Sequence, residues 1–211
     1  MDQPANTLGS STPSGPWDTA SRKAPGILST RMPLVQAMRL PADLPLTDPF
    51  EGPPVQLGHL AADPLVIILV RYFGCLPCQA YLAEIDGLID AFPSGAGVVA
   101  VGGSAAYQAR WLRDTKGIRM PMLIDEQEAL RSLLGIGDLD GRGLAAARGW
   151  RSYGRALVGG FRPQLPTRHA RRAPGIVALD RDLTVRWTHT GSALGDYPPV
   201  DELVERVNQG R

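Results

Sequence analysis

The junction that carries the only two cysteines of the chain constrains its fold more than any other feature. The apolar run at residues 65–70 predicts a buried strand that is covered on both faces. Cys75 and Cys78 follow this strand, separated by Leu76 and Pro77, and proline is common just inside the first turn of a helix. Apolar residues then recur at helical spacing. The sequence therefore predicts that both thiols lie where a buried strand leads into a helix.

Two thiols at this spacing can interconvert between a dithiol and a disulfide. The N-terminus of a helix stabilises a thiolate, and the three-residue offset lets the second sulfur attack a mixed disulfide on the first. A zinc site would need two further ligands, and the three histidines, His59, His169 and His189, are not paired at ligand spacing. A purely structural disulfide would close so short a loop that it would restrict the unfolded chain little. We therefore predict a redox-active pair without a metal or cofactor.

The overall composition limits the compartment and the partners. A chain of 211 residues with a net charge of +1 predicts one ordinary domain without a global field for nucleic acid or membranes. The longest apolar run, residues 65–70, is far shorter than the ~20 residues that a membrane-spanning helix needs. The first residues lack the basic start and apolar stretch of an export signal. Two cysteines do not make a secreted disulfide scaffold, so we expect a cytoplasmic protein.

Two regions of different composition divide the chain. Residues 1–31 are rich in Ser, Thr, Pro and Gly, which predicts a mobile tail, and residues 32–211 hold the predicted redox domain. Within that domain, apolar patterns predict an order of strands and helices that gives a mixed sheet with helices on both sides. The predicted strands are 55–57, 65–73, 97–101, 122–124, 175–179 and 184–188, and the predicted helices are 77–92, 105–116, 126–134 and 198–207. A short polar link joins the last two strands into a hairpin.

The order of strand, Cys-x-x-Cys, helix, later proline and hairpin resembles the thioredoxin fold. More specifically, residues 53–79 and 191–207 are similar to the peroxiredoxin-like branch of the alkyl hydroperoxide reductase/thiol-specific antioxidant superfamily. The similarity rests on Val70-Arg71-Tyr72-Phe73-Gly74-Cys75-Leu76-Pro77-Cys78 and on Gly195-Asp196-Tyr197-Pro198-Pro199. It implies an α/β protein with a thioredoxin-like mixed sheet flanked by helices, and an oxidoreductase activity that depends on the thiols.

The resemblance also assigns a role to Pro174. This residue directly precedes a predicted strand and matches the cis-proline that faces the thiols in the thioredoxin fold. The resemblance therefore implies a cis bond at this position and a place in the active site. From the residues alone, a trans proline that begins an edge strand stays open as the alternative.

The resemblance leaves two assignments of the attacking thiol. Ordinary peroxiredoxins carry Thr or Ser three residues before the attacking cysteine, which would put Cys75 at that position and make Cys78 the nucleophile. In thioredoxins the first cysteine attacks and the second resolves. We expect the second pattern, with Cys75 as the acidic nucleophile, since the helix shields Cys78. Leu69 replaces the buried acid of thioredoxins, and Arg71 either lowers a thiol pKa or extends its charge to solvent.

A basic segment, residues 141–175, forms an Arg/Gly-rich insertion before the C-terminal hairpin. It holds eight arginines and no acidic residue, whereas the rest of the chain has 14 basic and 21 acidic residues, a net charge of −7. In a thioredoxin-like order the segment lies beside the thiols. One interpretation is a lid that attracts an anionic substrate or a low-molecular-weight thiol. The other is a solvated, partly disordered loop or an oligomer contact.

These observations predict a thiol–disulfide oxidoreductase of the peroxiredoxin-like type. It would reduce a disulfide or peroxide, and a thioredoxin-like protein or a low-molecular-weight thiol would restore the dithiol. A homodimer is compatible with this prediction, and neither a membrane nor nucleic acid is an expected partner. Two alternatives stay open: a reductase of a small-molecule endoperoxide or disulfide in specialised metabolism, and a non-enzymatic redox-sensing module.

Overall fold

The computed structural model of the chain describes residues 38–103 and 105–209. The tail predicted for residues 1–31 lies outside the described residues, so it stays a prediction. The strands form two sheets, one of two strands and one of five. The small sheet contains β1 (Pro45–Leu46) and β2 (Val55–Gln56), and the large one β3 (Leu65–Leu69), β4 (Gly97–Gly102), β5 (Met122–Ile124), β6 (Gly175–Leu179) and β7 (Val185–Thr190).

The large sheet is mixed, as the sequence predicts. Its strand order is β5-β4-β3-β6-β7, with β3, β4 and β5 parallel to one another. Strand β6 is antiparallel to β3, and β7 returns antiparallel to β6 as the predicted hairpin. Strand β3 is therefore central, and its carboxyl end delivers the chain to the cysteines.

Six α-helices lie in the described part of the chain, none of them long and apolar enough to cross a membrane. They are α1 (Leu76–Gly87), α2 (Ala106–Lys116), α3 (Ala129–Leu133), α4 (Gly141–Ala145), α5 (Ala147–Val158) and α6 (Val200–Gln209). Alternate residues of β3 point to opposite faces of the sheet. Val66 and Ile68 join one core with residues of α1, α2 and α6, whereas Ile67 joins the other with residues of α3.

The central strand is shorter than predicted, and a buried arginine explains where it ends. The pairing of β3 with β6 ends at Leu69 and Gly175, and the amide of Val70 still donates to Val101 of β4. Arg131 on α3 donates to that carbonyl at 2.6 Å and to the carbonyl of Ala173 at 2.7 Å. Its side chain is 4% exposed. Arg131 thus bridges the residue that follows β3 and the segment that leads into β6, next to the thiols.

The basic segment contains two helices, α4 and α5, where the sequence pattern predicts none. These two helices contain four glycines, at positions 141, 143, 149 and 154. Glycine has a low helix propensity, so it weakens the helix signal in the sequence. Tertiary packing overrides the propensity at Gly149, because a Cβ there would lie 2.8 Å from the Cβ of Leu194. The close approach of α5 to the loop that follows β7 therefore requires a glycine.

We expect the substitution Arg131→Met to lower the free energy of unfolding by about 3 kcal/mol, since two buried carbonyls lose their donor. Urea unfolding measures the change. The matched control is Arg151→Met, which removes an exposed arginine from α5 and should change stability by less than about 0.5 kcal/mol. Equal unfolding midpoints for the two variants would contradict the role assigned to Arg131.

Candidate active site

The first turn of α1 brings the two sulfurs together. Cys75 is the extended residue that precedes the helix, and Cys78 lies in its first turn together with Pro77. The two Sγ atoms are 2.8 Å apart and share a hydrogen bond. Both cysteines are free thiols with an exposed fraction of 0%. The first turn has no acidic residue, so the positive end of the helix dipole is available to a thiolate.

Arg71 supplies a positive charge beside the thiols and does not extend to solvent. Its side chain is buried, and Nη1 lies 3.4 Å from the Sγ atom of Cys75 and 3.4 Å from the hydroxyl of Tyr153. Nη2 donates to the carbonyl of Ala170. Burial opposes the charge, but the neighbouring thiols and Tyr153 raise the pKa of Arg71, so the guanidinium stays protonated. Of the two interpretations of Arg71, the structure favours the counter-charge.

Tyr197 adds a hydrogen-bond donor on the other side of the pair. Its hydroxyl lies 3.5 Å from the Sγ atom of Cys78 and 3.3 Å from the carbonyl oxygen of Leu69. Its ring stacks on Tyr81 with 4.3 Å between centroids and 5° between planes. Burial and the nearby thiols raise the pKa of Tyr197, so the hydroxyl keeps its proton and can donate it to a sulfur.

The two thiols have opposite pKa shifts, and the direction differs from the expected one. Burial opposes ionisation of Cys78, but the hydrogen bond from Cys75, the charge of Arg71 and the hydroxyl of Tyr197 lower its pKa to about 6. Burial and the hydrogen bond to Cys78 hold the pKa of Cys75 well above its usual value. The two thiols therefore titrate as a pair, with Cys78 favoured as the thiolate. These directions run against the expectation that Cys75 is the acidic thiol, because Cys75 itself, Arg71 and Tyr197 favour a thiolate on Cys78. Which thiol attacks stays a prediction.

The basic segment covers the thiols, so it is not a solvated loop. The amide of Gln164 donates to the carbonyl of Gly74 at 3.3 Å, directly before Cys75. On the other side, the side chain of Gln108 accepts from the amide of Gly74 at 3.1 Å and donates to the carbonyl of Leu165 at 3.0 Å. A Cβ on Gly74 would lie 2.8 Å from the Cβ of Gln164, so the close approach of the basic segment favours a glycine here.

A cluster of charges around Glu128 holds the end of the basic segment. Glu128 accepts from Nδ1 of His169 at 2.6 Å and from Nε of Arg172 at 2.6 Å. Arg172 also donates to Asp138 at 2.7 Å. The charge of Arg172 is therefore engaged inside the protein. Capture of anionic substrates by the remaining arginines stays a prediction.

Pro174 does not have the expected cis bond. Among the described residues the cis peptide bond is Asp63–Pro64, whereas the bond before Pro174 is trans. Backbone hydrogen bonds on both sides of this bond stabilise the trans conformation. The amide of Ala173 donates to the carbonyl of Gly137 at 3.0 Å, and the carbonyl of Pro174 accepts from the amide of Gly191 at 2.8 Å. The implied place of Pro174 opposite the thiols stays a prediction.

Four residues of the site carry no role in the sequence-based interpretation: Tyr197, Tyr153, Gln108 and Arg131. Tyr197 lies in the stretch Gly195-Asp196-Tyr197-Pro198-Pro199, which carries part of the family resemblance, so its position could have marked it. Gln108 and Arg131 lie in predicted helices, whereas Tyr153 lies in the basic segment, where the sequence predicts no helix. Only the tertiary structure brings them to the thiols.

Comparison with known proteins identifies the fold. No protein-family model matches the sequence, and no curated protein matches it. Among solved structures, peroxiredoxin Q of Xanthomonas campestris superposes with a TM-score of 0.60 at 16% identity, covering 83% of this chain and 99% of that one. Peroxidoxin BcpB of Mycobacterium tuberculosis gives 0.59 at 15%, covering 83% and 97%. The thiol peroxidase of Chromobacterium violaceum gives 0.58 at 12%, covering 83% and 87%. The chain thus has the thioredoxin-like fold of peroxiredoxins.

We expect the substitution Arg71→Met to raise the pKa of Cys78 from about 6 towards the free-cysteine value of about 8.5, because the thiolate loses its counter-charge. Arg71→Lys keeps the charge and should give a smaller rise. Ultraviolet absorbance of the thiolate against pH measures both. An Arg71→Met variant that titrates as the parent would contradict the assignment.

A second pair of variants tests the hydrogen bond between the Tyr197 hydroxyl and the sulfur of Cys78. Tyr197→Phe should raise the pKa of Cys78, since a hydrogen bond to the charged form is lost. Tyr81→Phe removes a hydroxyl from the stacked neighbour and should leave the titration unchanged. Equal shifts in the two variants would show that the effect comes from packing and not from the hydrogen bond.

Proposed function

We propose that this protein is a peroxiredoxin-like reductase that uses its two cysteines to reduce a hydroperoxide. The observation that carries the proposal is the fully buried thiol pair, with 2.8 Å between its sulfurs and Arg71 beside it. Burial and a specific charge partner that together perturb a pKa are typical of functional sites. Solved structures with this fold include a peroxiredoxin and a thiol peroxidase, which supports peroxide as the substrate.

The proposed first step is attack of the Cys78 thiolate on the terminal oxygen of the hydroperoxide. An S–O bond forms, the O–O bond breaks, and the leaving alkoxide takes up a proton to become an alcohol. The sulfur is oxidised to a sulfenic acid while the peroxide is reduced by two electrons. Arg71 and Tyr197 are donors within 3.5 Å of the sulfurs and can stabilise the charge that develops on oxygen.

The proposed second step closes a disulfide. Cys75 gives up its proton and attacks the sulfur of Cys78, the S–O bond breaks, and the oxygen leaves as water. With 2.8 Å between the sulfurs, this attack needs little movement of the chain. An external thiol reductant, a thioredoxin-like protein or a low-molecular-weight thiol, then returns two electrons and two protons. We place the protein in the cytoplasm, where such reductants keep thiols reduced.

A disulfide substrate is the second candidate. The Cys-x-x-Cys arrangement supports it, because the second sulfur can attack a mixed disulfide on the first, release the thiol of the substrate and close a Cys75–Cys78 disulfide. Both sulfurs are fully buried under the basic segment, however, and a small hydroperoxide needs less opening than a protein disulfide does. The same burial disfavours a sensing module that contacts a partner through its sulfurs. We therefore propose the hydroperoxide as the main substrate.

Cysteine variants separate the roles of the two thiols. Cys78→Ser should abolish peroxide reduction with dithiothreitol as the reductant, because it removes the thiolate. Cys75→Ser should still perform the first step and accumulate a sulfenic acid on Cys78. Mass spectrometry after trapping with dimedone locates the adduct.

The opposite pattern would reverse the assignment. A dimedone adduct on Cys75 in the Cys78→Ser variant, with none on Cys78 in the converse variant, would make Cys75 the nucleophile. Absence of turnover with every hydroperoxide, together with turnover of a small disulfide, would favour the second candidate function.

A further inference from the structure

Helix α5 presents a stripe of apolar side chains to solvent. Trp150 is 60% exposed, Leu157 53% and Val158 92%. Their spacing of i, i+7 and i+8 places the three side chains on one face of the helix. The buried residues of α5, Gly149 and Ala156, lie on the face that is turned to the protein. The contacts of the fold therefore leave the apolar stripe uncovered.

Exposed arginines border this stripe along one side of the helix. Arg148, Arg151 and Arg155 follow one another at helical spacing, and all three are exposed. Arg148 pairs with Asp196 at 3.3 Å, whereas the ion pairs within residues 38–103 and 105–209 leave the other two without an acidic partner. The whole basic segment holds eight arginines and no acidic residue. The apolar stripe therefore lies in a region of strong local positive charge, although the net charge of the chain is +1.

The combination of an apolar stripe and a basic border is typical of a helix that lies in the plane of a membrane surface. Apolar side chains enter the boundary between headgroups and acyl chains, and tryptophan is favoured at the level of the headgroups. Arginines attract acidic headgroups. With 12 residues, α5 suits a position on the surface and is too short to cross the bilayer. A protein partner would cover about 800 Å², more than three apolar side chains of one helix provide.

The same helix turns another face to the thiol pair. The hydroxyl of Tyr153 lies 3.4 Å from Nη1 of Arg71, and the rings of Trp150 and Tyr153 are 5.6 Å apart between centroids. A surface that covers the apolar stripe would leave the contact between Tyr153 and Arg71 in place. Docking of α5 would therefore bring the thiol pair close to that surface without opening the cover over it.

We propose that the outer face of α5 docks onto a membrane surface that carries acidic phospholipids. Trp150, Leu157 and Val158 enter the interface, and Arg151 and Arg155 contact the phosphates of the headgroups. The docking is independent of peroxide reduction, since no sulfur takes part in it. It runs against the expectation that a membrane is not a partner. That expectation rests on the overall charge of the chain, which hides the local charge of the basic segment.

The first experiment measures how the full chain sediments with vesicles of phosphatidylcholine, either alone or with about one third phosphatidylglycerol. The affinity should be about tenfold higher for the acidic vesicles and should fall as salt screens the charges. Arg151→Gln should weaken binding to acidic vesicles about fivefold, because one cation is lost at the headgroups. The matched control is Arg181→Gln, which removes an exposed arginine from the turn between β6 and β7 and should leave binding unchanged.

A second pair of variants tests the apolar stripe on the same vesicles. Leu157→Gln should weaken binding about fivefold or more, since a polar amide replaces an apolar side chain at the interface. Leu133→Gln changes a leucine of α3 that is 40% exposed and should have no effect. The Cys75→Ser/Cys78→Ser chain should bind as the parent does. Vesicle binding can therefore succeed or fail separately from peroxide reduction.

Tryptophan fluorescence reports whether the stripe enters the interface. Acidic vesicles should shift the emission of the chain to shorter wavelength, because the ring of Trp150 leaves water. Trp150→Phe should remove most of this shift, whereas Trp111→Phe, which changes a half-buried tryptophan of α2, should preserve it.

Three results would overturn the proposal. The first is an absence of binding to acidic vesicles at low salt, or binding that Arg151→Gln and Leu157→Gln leave intact. The second is binding without a fluorescence shift from Trp150, which would show adsorption by charge alone. The third is a dimer that forms without vesicles and that Leu157→Gln dissociates, which would assign the stripe to a second copy of the chain.

Discussion

A thiolate without water around it needs a fixed counter-charge, and the rest of the site follows from this requirement. Both sulfurs are fully buried, so a negative charge on either one would be costly without a cation and hydrogen-bond donors. Arg71 provides the cation, but a buried guanidinium needs acceptors of its own. It finds them in the hydroxyl of Tyr153 and the carbonyl of Ala170, both in the basic segment. The charge on sulfur is thus linked to the position of that segment.

The other contacts of the basic segment serve the same arrangement. The amide of Gln164 docks on Gly74, and the Glu128 carboxylate holds His169 and Arg172 near the end of the segment. Arg131 meanwhile fixes the end of β3, from which the chain turns to the cysteines. The arginines in these contacts act mainly as hydrogen-bond donors to backbone and carboxylate oxygens inside the fold. The arginines of the basic segment thus help to hold it over the thiols. These contacts give no direct support to an attraction of anions.

Tyr197 contacts both the thiol pair and a cavity that Pro77 and Tyr81 also line. Its hydroxyl lies 3.5 Å from the Sγ atom of Cys78. The same side chain can therefore stabilise a thiolate on Cys78, and its stack with Tyr81 holds the ring in this position.

The sequence by itself determined the features that depend on neighbours along the chain. The apolar run of β3, the Cys-x-x-Cys at the start of α1 and the hairpin of β6 and β7 follow from spacing and pattern, and all three are present. Only the tertiary structure adds the hydroxyl of Tyr197, 119 residues away in sequence, to the local groups Cys75 and Arg71 that favour a thiolate on Cys78. The trans bond before Pro174 and the helices of the basic segment likewise depend on contacts with Gly137, Gly191 and Leu194. The hydroxyl at Cys78, a proline isomer and a glycine-rich helix depend on distant atoms that the fold brings within a few ångströms, and no local pattern encodes them.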